Sequence, residues 1–226
     1  MDQHSFPCQL VSWDEAYMLS RKLACKIKSS GFHPDLIIAI GRGGYVPARI
    51  VSDFLLHSLL TSIKVEHWDN AACKRPEAAV RFPLAVDIQG QKILIVDDVT
   101  DTGETLKVTV DYVRSLHAGE IRTSVMQHKI VSPIVPDFYA EVITEWRWII
   151  YPWAAHEDLV GFTEKVLDNR PATIEQICEK LKERYSLVVD EKEMPEILAD
   201  LMAMKKAERC GDRYKIRHER PDTSEK

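Results

Sequence analysis

The sequence predicts an α/β domain in which a mostly parallel, twisted sheet carries helices on both faces, followed by a small α+β domain. Two short apolar runs, at residues 35–40 and 92–96, have the length and composition of buried parallel strands, and residues 122–128 are predicted to form another strand. Segments with helical spacing separate these runs. Strands that alternate with helices form parallel sheets, and such sheets bind ligands at the carboxyl ends of their strands. We therefore expect the functional residues to follow the predicted strands.

Local signals define the elements of the first domain. The string Ser12-Trp13-Asp14-Glu15 is a capping box, in which the serine and glutamate side chains satisfy N–H groups at the start of a helix. Gly103 marks a turn between a strand and a helix. In chain order, the sequence predicts a helix at 12–30, a strand at 35–40, a helix at 46–56, a strand at 62–65, a strand at 92–96 with a helix to about 117, and strands at 122–128 and 147–151.

Residues 166–217 have a different pattern and are predicted to form a second domain after a first domain at residues 1–165. Two helices, the first beginning at Thr173 and the second at Glu191, precede a hairpin that turns at Gly211. Two helices followed by a hairpin resemble a winged-helix module. A small winged-helix-like C-terminal domain is therefore expected.

The charge of the second helix indicates what this module does. Winged helices often bind DNA, but acidic side chains repel phosphates. We therefore favour packing or oligomerisation over nucleic-acid binding. The acidic residues are Asp190, Glu191, Glu193, Glu196 and Asp200. The last stretch, residues 218–226, is rich in charge and is expected to be a disordered tail.

The composition is typical of a soluble enzyme of the cytoplasm. The chain has 226 residues, 45% of them hydrophobic, and a net charge of −5 that gives no general attraction to nucleic acid. Its five cysteines are odd in number and contain no C-x-x-C pair, which argues against a disulfide framework or a zinc site. The sequence has no apolar run of about 18 residues, so no membrane span is expected. The first residues lack the pattern of a signal peptide, which also favours a cytoplasmic location.

The most informative segment is residues 93–105, Ile-Leu-Ile-Val-Asp-Asp-Val-Thr-Asp-Thr-Gly-Glu-Thr. An apolar strand ends in two carboxylates and leads through a glycine turn to a predicted helix. Backbone N–H groups and the helix dipole suit a phosphate at such a turn. Carboxylates accept hydrogen bonds from hydroxyls and suit a metal ion. The segment predicts a site for a phosphorylated sugar, and the sequence contains neither G-x-G-x-x-G nor a P-loop string.

Residues 96–105 closely resemble the phosphoribosyl-diphosphate signature of the type I phosphoribosyltransferases: two acids, a short spacer, Asp-Thr-Gly and a final threonine. The resemblance covers roughly residues 10–160 and implies the type I phosphoribosyltransferase fold. It implies that Asp101 is the catalytic residue, as a general base or hydrogen-bond partner at the purine N7. It also implies a Mg²⁺ cofactor near Asp98. The phosphoribosyl-diphosphate site that it implies consists of Asp97, Asp98, Thr100, Thr102, Gly103, Glu104 and Thr105. Glu104 departs from several relatives, which have a small or basic residue there.

A second glycine-rich turn, Gly41-Arg42-Gly43-Gly44, follows the first predicted strand. Glycines let backbone amides approach an anion, and the Arg42 guanidinium offers several donors. In the resembled family this position binds pyrophosphate and often has a cis peptide, here expected between Gly41 and Arg42. The pyrophosphate site implied by the resemblance is Arg42, Gly43 and Gly44.

A polar stretch at residues 67–79 has two interpretations. By position it matches the loop that closes over the reaction in the resembled family, and Lys74 and Arg75 would then bring positive charge to the leaving group. The alternative is a solvated β-hairpin tip with ordinary surface charges. The residues themselves do not decide between these two interpretations.

The purine is expected to be recognised by Lys129 and by the string around Trp148. A lysine only donates hydrogen bonds, so it suits an oxo group and not an amino group. The string from Trp146 to Trp153 resembles that of the bacterial xanthine-guanine branch of the family. On that resemblance Lys129 binds the purine O6, Trp148 stacks on the ring and Ile149 supplies backbone contacts. Trp146 and Trp153 are expected to be structural.

The resemblance implies a purine-salvage enzyme that converts hypoxanthine, guanine or xanthine, with phosphoribosyl diphosphate, to a nucleoside monophosphate. Its partners would be these small molecules and further copies of the chain, at least as a dimer. The alternative is a transcriptional regulator that senses phosphoribosyl diphosphate and uses the C-terminal domain on nucleic acid. Arg42, Asp101 and Lys129 favour the enzyme, since a pure sensor needs no residues for the base or the leaving group. Adenine and pyrimidines remain less favoured substrates.

Overall fold

The computed structural model of the chain describes residues 5–69 and 73–217, and only the backbone of residues 66–69 and 73–79. The expected disordered tail at residues 218–226 lies outside the described residues. The strands are β1 (Cys8–Leu10), β2 (Leu36–Gly41), β3 (Leu60–Asp69), β4 (Cys73–Phe82), β5 (Lys92–Thr100), β6 (Glu120–Lys129), β7 (Phe138–Ile143), β8 (Trp148–Ile150), β9 (Ala207–Cys210) and β10 (Arg213–Ile216). The helices are α1 (Trp13–Ser29), α2 (Tyr45–Leu55), α3 (Glu104–Ser115), α4 (Ala155–Val166), α5 (Ile174–Tyr185) and α6 (Met194–Ala203).

The chain forms two compact units. The first, here the sheet unit, contains residues 11–146 and 151–153. The second, here the C-terminal unit, contains the described residues up to Leu10, residues 147–150 and the described residues from Ala154 onward. Among the described residues, no helix is both long enough and apolar enough to cross a membrane.

The sheet unit is built on six strands in the order β4-β3-β2-β5-β6-β7. Each neighbouring pair is parallel except β3 and β4, which are antiparallel. The expected mostly parallel sheet is therefore confirmed. The backbone of residues 67–69 and 73–79 belongs to the β3–β4 hairpin, while the tip between the two strands and the side chains of Lys74 and Arg75 lie outside what the structure describes.

Alternate residues of the central strands supply two cores, one on each face. Ile37 and Leu94 pack with α1 and α2 in one core, whereas Ile38 and Ile95 pack with α3 in the other. All four side chains are fully buried. Because both faces of β2 and β5 are covered, these strands consist of continuous apolar runs. The expected helices on both faces of the sheet are confirmed.

Several strands differ from the sequence prediction: β1, β4 and β7 were not predicted, and β8 lies in a different sheet. The strand predicted at residues 147–151 is present as β8, but its place in the main sheet was wrong, because β8 pairs in parallel with β1 in a separate two-stranded sheet of the C-terminal unit. The edge of the main sheet is instead β7, which the sequence did not predict. β7 exposes Glu141 and Val142, so it lacks the apolar run of a central strand. An edge strand with polar and exposed positions gives a weak signal.

The C-terminal unit contains the predicted helix pair and hairpin. α5 begins with the Thr173 capping box, and β9 and β10 pair as a hairpin. α6 starts later than predicted, at Met194, with Pro195 in its first turn. A proline is favoured there because the N–H groups in the first turn of a helix have no partner within the helix, so the N–H that proline lacks is not needed. All five acidic residues of the predicted second helix are exposed. The winged-helix assignment stays a prediction.

Candidate active site

Three turns of the sheet unit meet at the carboxyl edge of adjacent strands. β2 ends at Gly41, β5 at Thr100 and β6 at Lys129, and β5 pairs with both of the others. β5 is longer than predicted, since Asp97 and Thr100 still pair with β6. Asp97 therefore lies within the strand and not in the following turn. This placement brings together residues that are up to 88 positions apart, from Gly41 to Lys129.

The turn between β5 and α3 has an open helix N-terminus. Gly103 is the N-cap of α3, with φ +76°, a backbone conformation that side chains rarely adopt. A Cβ at this position would also collide with Ile134. Because glycine has no side chain, it cannot cap the first N–H groups of α3, and Thr102 Oγ1 lies 3.5 Å from the Glu104 amide. The start of α3 is thus suited to an anion.

Asp97 and Asp98 place two carboxylates side by side in a region of low exposure. Asp97 is 9% exposed, and its Oδ1 accepts a hydrogen bond from the Asp98 amide at 2.9 Å. Burial, followed by the charge of Asp98, raises the pKa of the Asp97 carboxyl well above its usual range. The Asp98 carboxylate accepts from the Val99 amide at 2.8 Å and from Trp153 Nε1 at 3.4 Å.

The glycine-rich turn after β2 packs closely on these acids. The Gly41–Arg42 peptide bond is cis, which confirms the expectation. A Cβ on Gly43 would collide with the Asp98 carboxylate, so glycine allows the turn to approach β5. The Gly44 N–H donates to the Ile40 carbonyl at 2.8 Å, and a Cβ there would collide with backbone oxygens. Close packing therefore explains why residue 44 is a glycine. The side chain of Arg42, in the same turn, is exposed.

Lys129 and Asp101 form a buried ion pair at the ends of β6 and β5. Lys129 Nζ lies 3.0 Å from Asp101 Oδ2, and the exposed fractions of the two side chains are 2% and 12%. Trp146 Nε1 donates to the other oxygen, Asp101 Oδ1, at 3.1 Å. The ammonium also lies 4.9 Å from the centroid of the Trp146 ring. Trp146 is 39% exposed and contacts both members of the pair, and its interpretation as a structural residue stays a prediction.

Two aromatic residues just after β8 support Asp98 from within the sheet unit. The Tyr151 hydroxyl donates to Gln127 Oε1 at 2.7 Å and lies 3.3 Å from the Asp98 carbonyl oxygen. Burial, then the charges of Asp98, Asp97 and Glu141, raise the pKa of Tyr151 well above its usual value. Trp153 stacks on Tyr151 with centroids 5.0 Å apart and rings 4° from parallel. Sequence analysis did not predict a role for Tyr151. The only signal in the sequence was the short string Tyr-Pro-Trp, which places two aromatic residues two positions apart.

Thr100 has a different environment from the other residues of the signature. Its hydroxyl lies 2.8 Å from His128 Nδ1, and its side chain is 3% exposed. Burial lowers the pKa of His128, which favours the neutral ring that can accept this bond. The contact explains Thr100 as a link between β5 and β6, and its role in ligand binding stays a prediction.

The structure places the predicted sugar, phosphate and pyrophosphate residues, together with Asp101 and Lys129, in the sheet unit. These are Arg42, Gly43, Gly44, Asp97, Asp98, Thr100, Asp101, Thr102, Gly103, Glu104, Thr105 and Lys129. Trp148 and Ile149 belong to the C-terminal unit. Ile149 is 7% exposed, and Trp148 Nε1 donates to Asp158 Oδ2 on α4 at 3.3 Å. Their contact with a purine stays a prediction.

Residues 9–158, more than half of the chain, match the sequence profile of the phosphoribosyl transferase domain. The chain belongs to the phosphoribosyltransferase family. The resemblance to the phosphoribosyltransferases found in residues 96–105 is thereby confirmed, and the matched range includes the acids of β5, the α3 turn and the glycine-rich turn.

Named relatives support the purine branch of the family. A xanthine-guanine phosphoribosyltransferase of Cereibacter sphaeroides is 34% identical over 149 residues, which are 63% of this chain and 84% of that protein. One of Idiomarina loihiensis is 31% identical over 156 residues, 69% of this chain and 92% of that protein. A crystal structure of a purine phosphoribosyltransferase from Pyrococcus horikoshii is 31% identical, with a TM-score of 0.56, and covers 65% of this chain and 93% of that one.

Proposed function

We propose that this phosphoribosyltransferase makes a nucleoside monophosphate from a 6-oxopurine (hypoxanthine, guanine or xanthine) and phosphoribosyl diphosphate, as in purine salvage. The observation that carries the proposal is the ion pair of Lys129 and Asp101, whose donor and acceptor atoms lie 3.0 Å apart. A 6-oxopurine with a proton on N7 presents an acceptor, O6, beside a donor, N7–H. The pair is complementary to that edge, whereas adenine has an amino group in place of O6, which cannot accept from an ammonium.

The reaction forms a bond from the purine N9 to C1 of the ribose and breaks the bond from C1 to the pyrophosphate oxygen. The leaving group keeps the electron pair, and the N7 proton passes to Asp101. The transition state has oxocarbenium character, so the protein needs no covalent nucleophile. Its contribution is to hold the two substrates in line and to stabilise the charge on pyrophosphate.

The sugar-phosphate half of the site is proposed to lie between α3 and the glycine-rich turn. The open N-terminus of α3, with Thr102, Glu104 and Thr105 around it, would bind the 5′-phosphate through backbone N–H groups and hydroxyls. Arg42 and the Gly43 amide would bind pyrophosphate. The exposed guanidinium of Arg42 has the donors for this role.

Asp97 and Asp98 are proposed to bind the ribose hydroxyls and Mg²⁺, with Asp98 nearer the metal. Among the described residues, no group of three or more His, Cys, Asp or Glu side chains is arranged to hold a metal ion. Two adjacent carboxylates nevertheless fit Mg²⁺, which takes its other ligands from water and substrate phosphates. The raised pKa of Asp97 supports this, because two acids in a poorly hydrated place favour a nearby cation. Bound Mg²⁺ would neutralise part of the charge on the diphosphate.

Further parts of the proposal concern the C-terminal unit and assembly. Trp148 would stack on the purine, with Ile149 supplying backbone contacts, and the Asp158 contact would fix the plane of the Trp148 ring. The helix pair and hairpin at residues 166–217 are proposed to be a winged-helix-like domain for packing or oligomerisation, since the acidic residues 190, 191, 193, 196 and 200 are exposed. The enzyme is proposed to be at least a dimer and to act in the cytoplasm.

The test is release of pyrophosphate from phosphoribosyl diphosphate and Mg²⁺ with hypoxanthine, guanine, xanthine, adenine, uracil and orotate in turn. We expect turnover with one or more 6-oxopurines, almost complete loss in Asp101→Asn and a clear loss in Lys129→Ala. Matched controls are Asp111→Asn and Lys22→Ala, which remove the same charges at exposed positions.

Two results would contradict the proposal. Turnover with adenine or a pyrimidine alone would leave the sugar-phosphate site standing and overturn the role of Lys129. Tight binding of phosphoribosyl diphosphate without turnover of any base would favour a sensor over an enzyme.

A further inference from the structure

Trp146 contacts both members of the buried ion pair, although no role in the reaction follows from the signature or from Lys129 alone. Its indole N–H donates to Asp101 Oδ1 at 3.1 Å, while Lys129 Nζ approaches Asp101 Oδ2 at 3.0 Å. The same ammonium lies 4.9 Å from the centroid of the indole ring, within the range of a cation–π contact. Trp146 thus orients the acid with its edge and stabilises the lysine with its face.

The arrangement matters most after a base binds. The Lys129 side chain has an exposed fraction of 2%, so neighbouring protein groups, and not water, must stabilise its ammonium. When the lysine donates to a purine O6, its bond to Asp101 weakens. The Trp146 N–H then keeps Oδ1 in place while Oδ2 is available to N7–H. The ring face, which stays beside the ammonium, holds Lys129 as it turns from one partner to the other.

We infer that Trp146 is a positioning residue for base recognition, acting on Asp101 through its N–H and on Lys129 through its ring. The inference rests on the proposed function of that site. The exposed fraction of the Trp146 side chain, 39%, distinguishes it from a core residue. A residue that acts only by packing would change stability, whereas this one changes the geometry of two groups that touch the base.

Two substitutions separate the two contacts. Trp146→Phe keeps a ring face for Lys129 but removes the N–H, so Asp101 loses its orientation. We expect kcat to fall about tenfold while KM for the base changes less than about twofold, the loss of one hydrogen bond to a charged group. Trp146→Leu removes both contacts, and we expect KM for the base to rise about fivefold in addition. KM for phosphoribosyl diphosphate is expected to stay unchanged in both variants.

A spectroscopic measurement tests the contact without turnover. The chain has five tryptophans, so an amide-region NMR spectrum shows at most five indole N–H signals, and Trp146→Phe identifies the one that belongs to Trp146. Asp101→Asn should shift that signal in the protein without ligand, because the acceptor loses its charge. The Trp13 indole, which packs against Trp153 and is 59% exposed, should not shift and serves as the internal control.

The kinetic control is Tyr17→Leu, which removes a half-exposed aromatic ring that packs on Phe54 in the same unit. We expect wild-type kcat and KM for Tyr17→Leu. Wild-type kinetics in folded Trp146→Phe and Trp146→Leu would overturn this inference and leave the proposed function standing. An unshifted Trp146 signal in Asp101→Asn would do the same. If the wild-type protein turned over no 6-oxopurine, the proposed function would fail and this inference with it.

Discussion

Asp97 and Asp101 lie four residues apart, yet they have opposite electrostatic surroundings. Asp97 is buried beside a second acid, Asp98, and its pKa is raised. Asp101 is almost as buried but is paired with Lys129 and with the indole N–H of Trp146. The comparison teaches that the two halves of the site have different needs. On the proposed function, the sugar-phosphate half would need positive charge from bound Mg²⁺, whereas the proposed base half already has an acid paired with a lysine in the protein.

The largest expected effect comes from Asp101→Asn, which removes the negative charge of the Lys129–Asp101 ion pair. We expect kcat to fall about 10³-fold, the usual contribution of a positioned general base. The substitution also removes the Asp101 charge beside the buried Lys129 ammonium, so the free energy of unfolding should fall by about 3 kcal/mol. Steady-state kinetics and urea unfolding measure the two effects. Asp111→Asn, at an exposed position, should change neither, and an unchanged kcat in Asp101→Asn would refute the role of Asp101.

A second prediction tests whether the acid pair gains stability from its ligands. Phosphoribosyl diphosphate with Mg²⁺, at about 100 times Kd, should raise the free energy of unfolding by about 2.7 kcal/mol. EDTA should abolish most of this gain, and Asp98→Asn should reduce it. Thermal unfolding with and without EDTA measures the effect. An equal gain in EDTA would contradict a metal beside Asp98.

A third prediction follows from the raised pKa of Asp97. Because the folded pKa is above the unfolded value, ionised Asp97 destabilises the fold, and its penalty grows as the pH rises from the usual carboxyl range toward the folded pKa. Asp97→Asn should therefore increase the free energy of unfolding at pH 7, whereas the proposed role of Asp97 in ribose binding leads us to expect lower activity. The gain should vanish at a pH of about 3, where both states are protonated. Denaturant unfolding from pH 3 to 8 checks this, and a variant less stable at pH 7 would contradict it.

The smallest expected effect concerns the support behind Asp98. Tyr151→Phe removes a hydroxyl that donates to Gln127 at 2.7 Å and leaves that amide oxygen without this donor. We expect the free energy of unfolding to fall by about 1–2 kcal/mol, the usual cost of such a loss. Because the pKa of Tyr151 is raised, the hydroxyl stays protonated and the loss should be constant from pH 6 to 9. Tyr17→Phe, at a half-exposed tyrosine, is the control. An equal fall in the free energy of unfolding in Tyr17→Phe would show that the hydrogen bond of Tyr151 to Gln127 does not stabilise the fold.

The sequence predicted the part of this architecture that depends on local pattern. The apolar runs of β2 and β5 identify buried strands, and the parallel-sheet rule places the residues that follow the strands at one edge. The Gly103 turn and the two capping boxes are also local signals. For this reason the turns after β2, β5 and β6 were expected at one edge of the sheet, where the structure places them, whereas the ligands assigned to these turns come from the family resemblance and stay predictions.

What the sequence did not predict depends on pairing between distant segments. β8 was mistaken for a core strand because its apolar residues look the same whether it joins the main sheet or pairs with β1. The contacts of Trp146 with Asp101, and of Tyr151 with Gln127, join residues 45 and 24 positions apart. Such contacts join segments that are distant in the chain, and no periodicity of the sequence indicates them. Aromatic residues near a site therefore need a structure before packing and function can be separated.

The most direct test of the account compares kcat/KM for hypoxanthine with kcat/KM for adenine, in the wild-type protein and in Lys129→Met. The methionine keeps an unbranched chain in the buried place but removes the charge. If the Lys129–Asp101 pair selects the 6-oxo group, the wild-type preference should exceed about 10³ and should fall about 100-fold in the variant. A preference of the same size in Lys129→Met would contradict the account, because recognition of the base would then lie elsewhere.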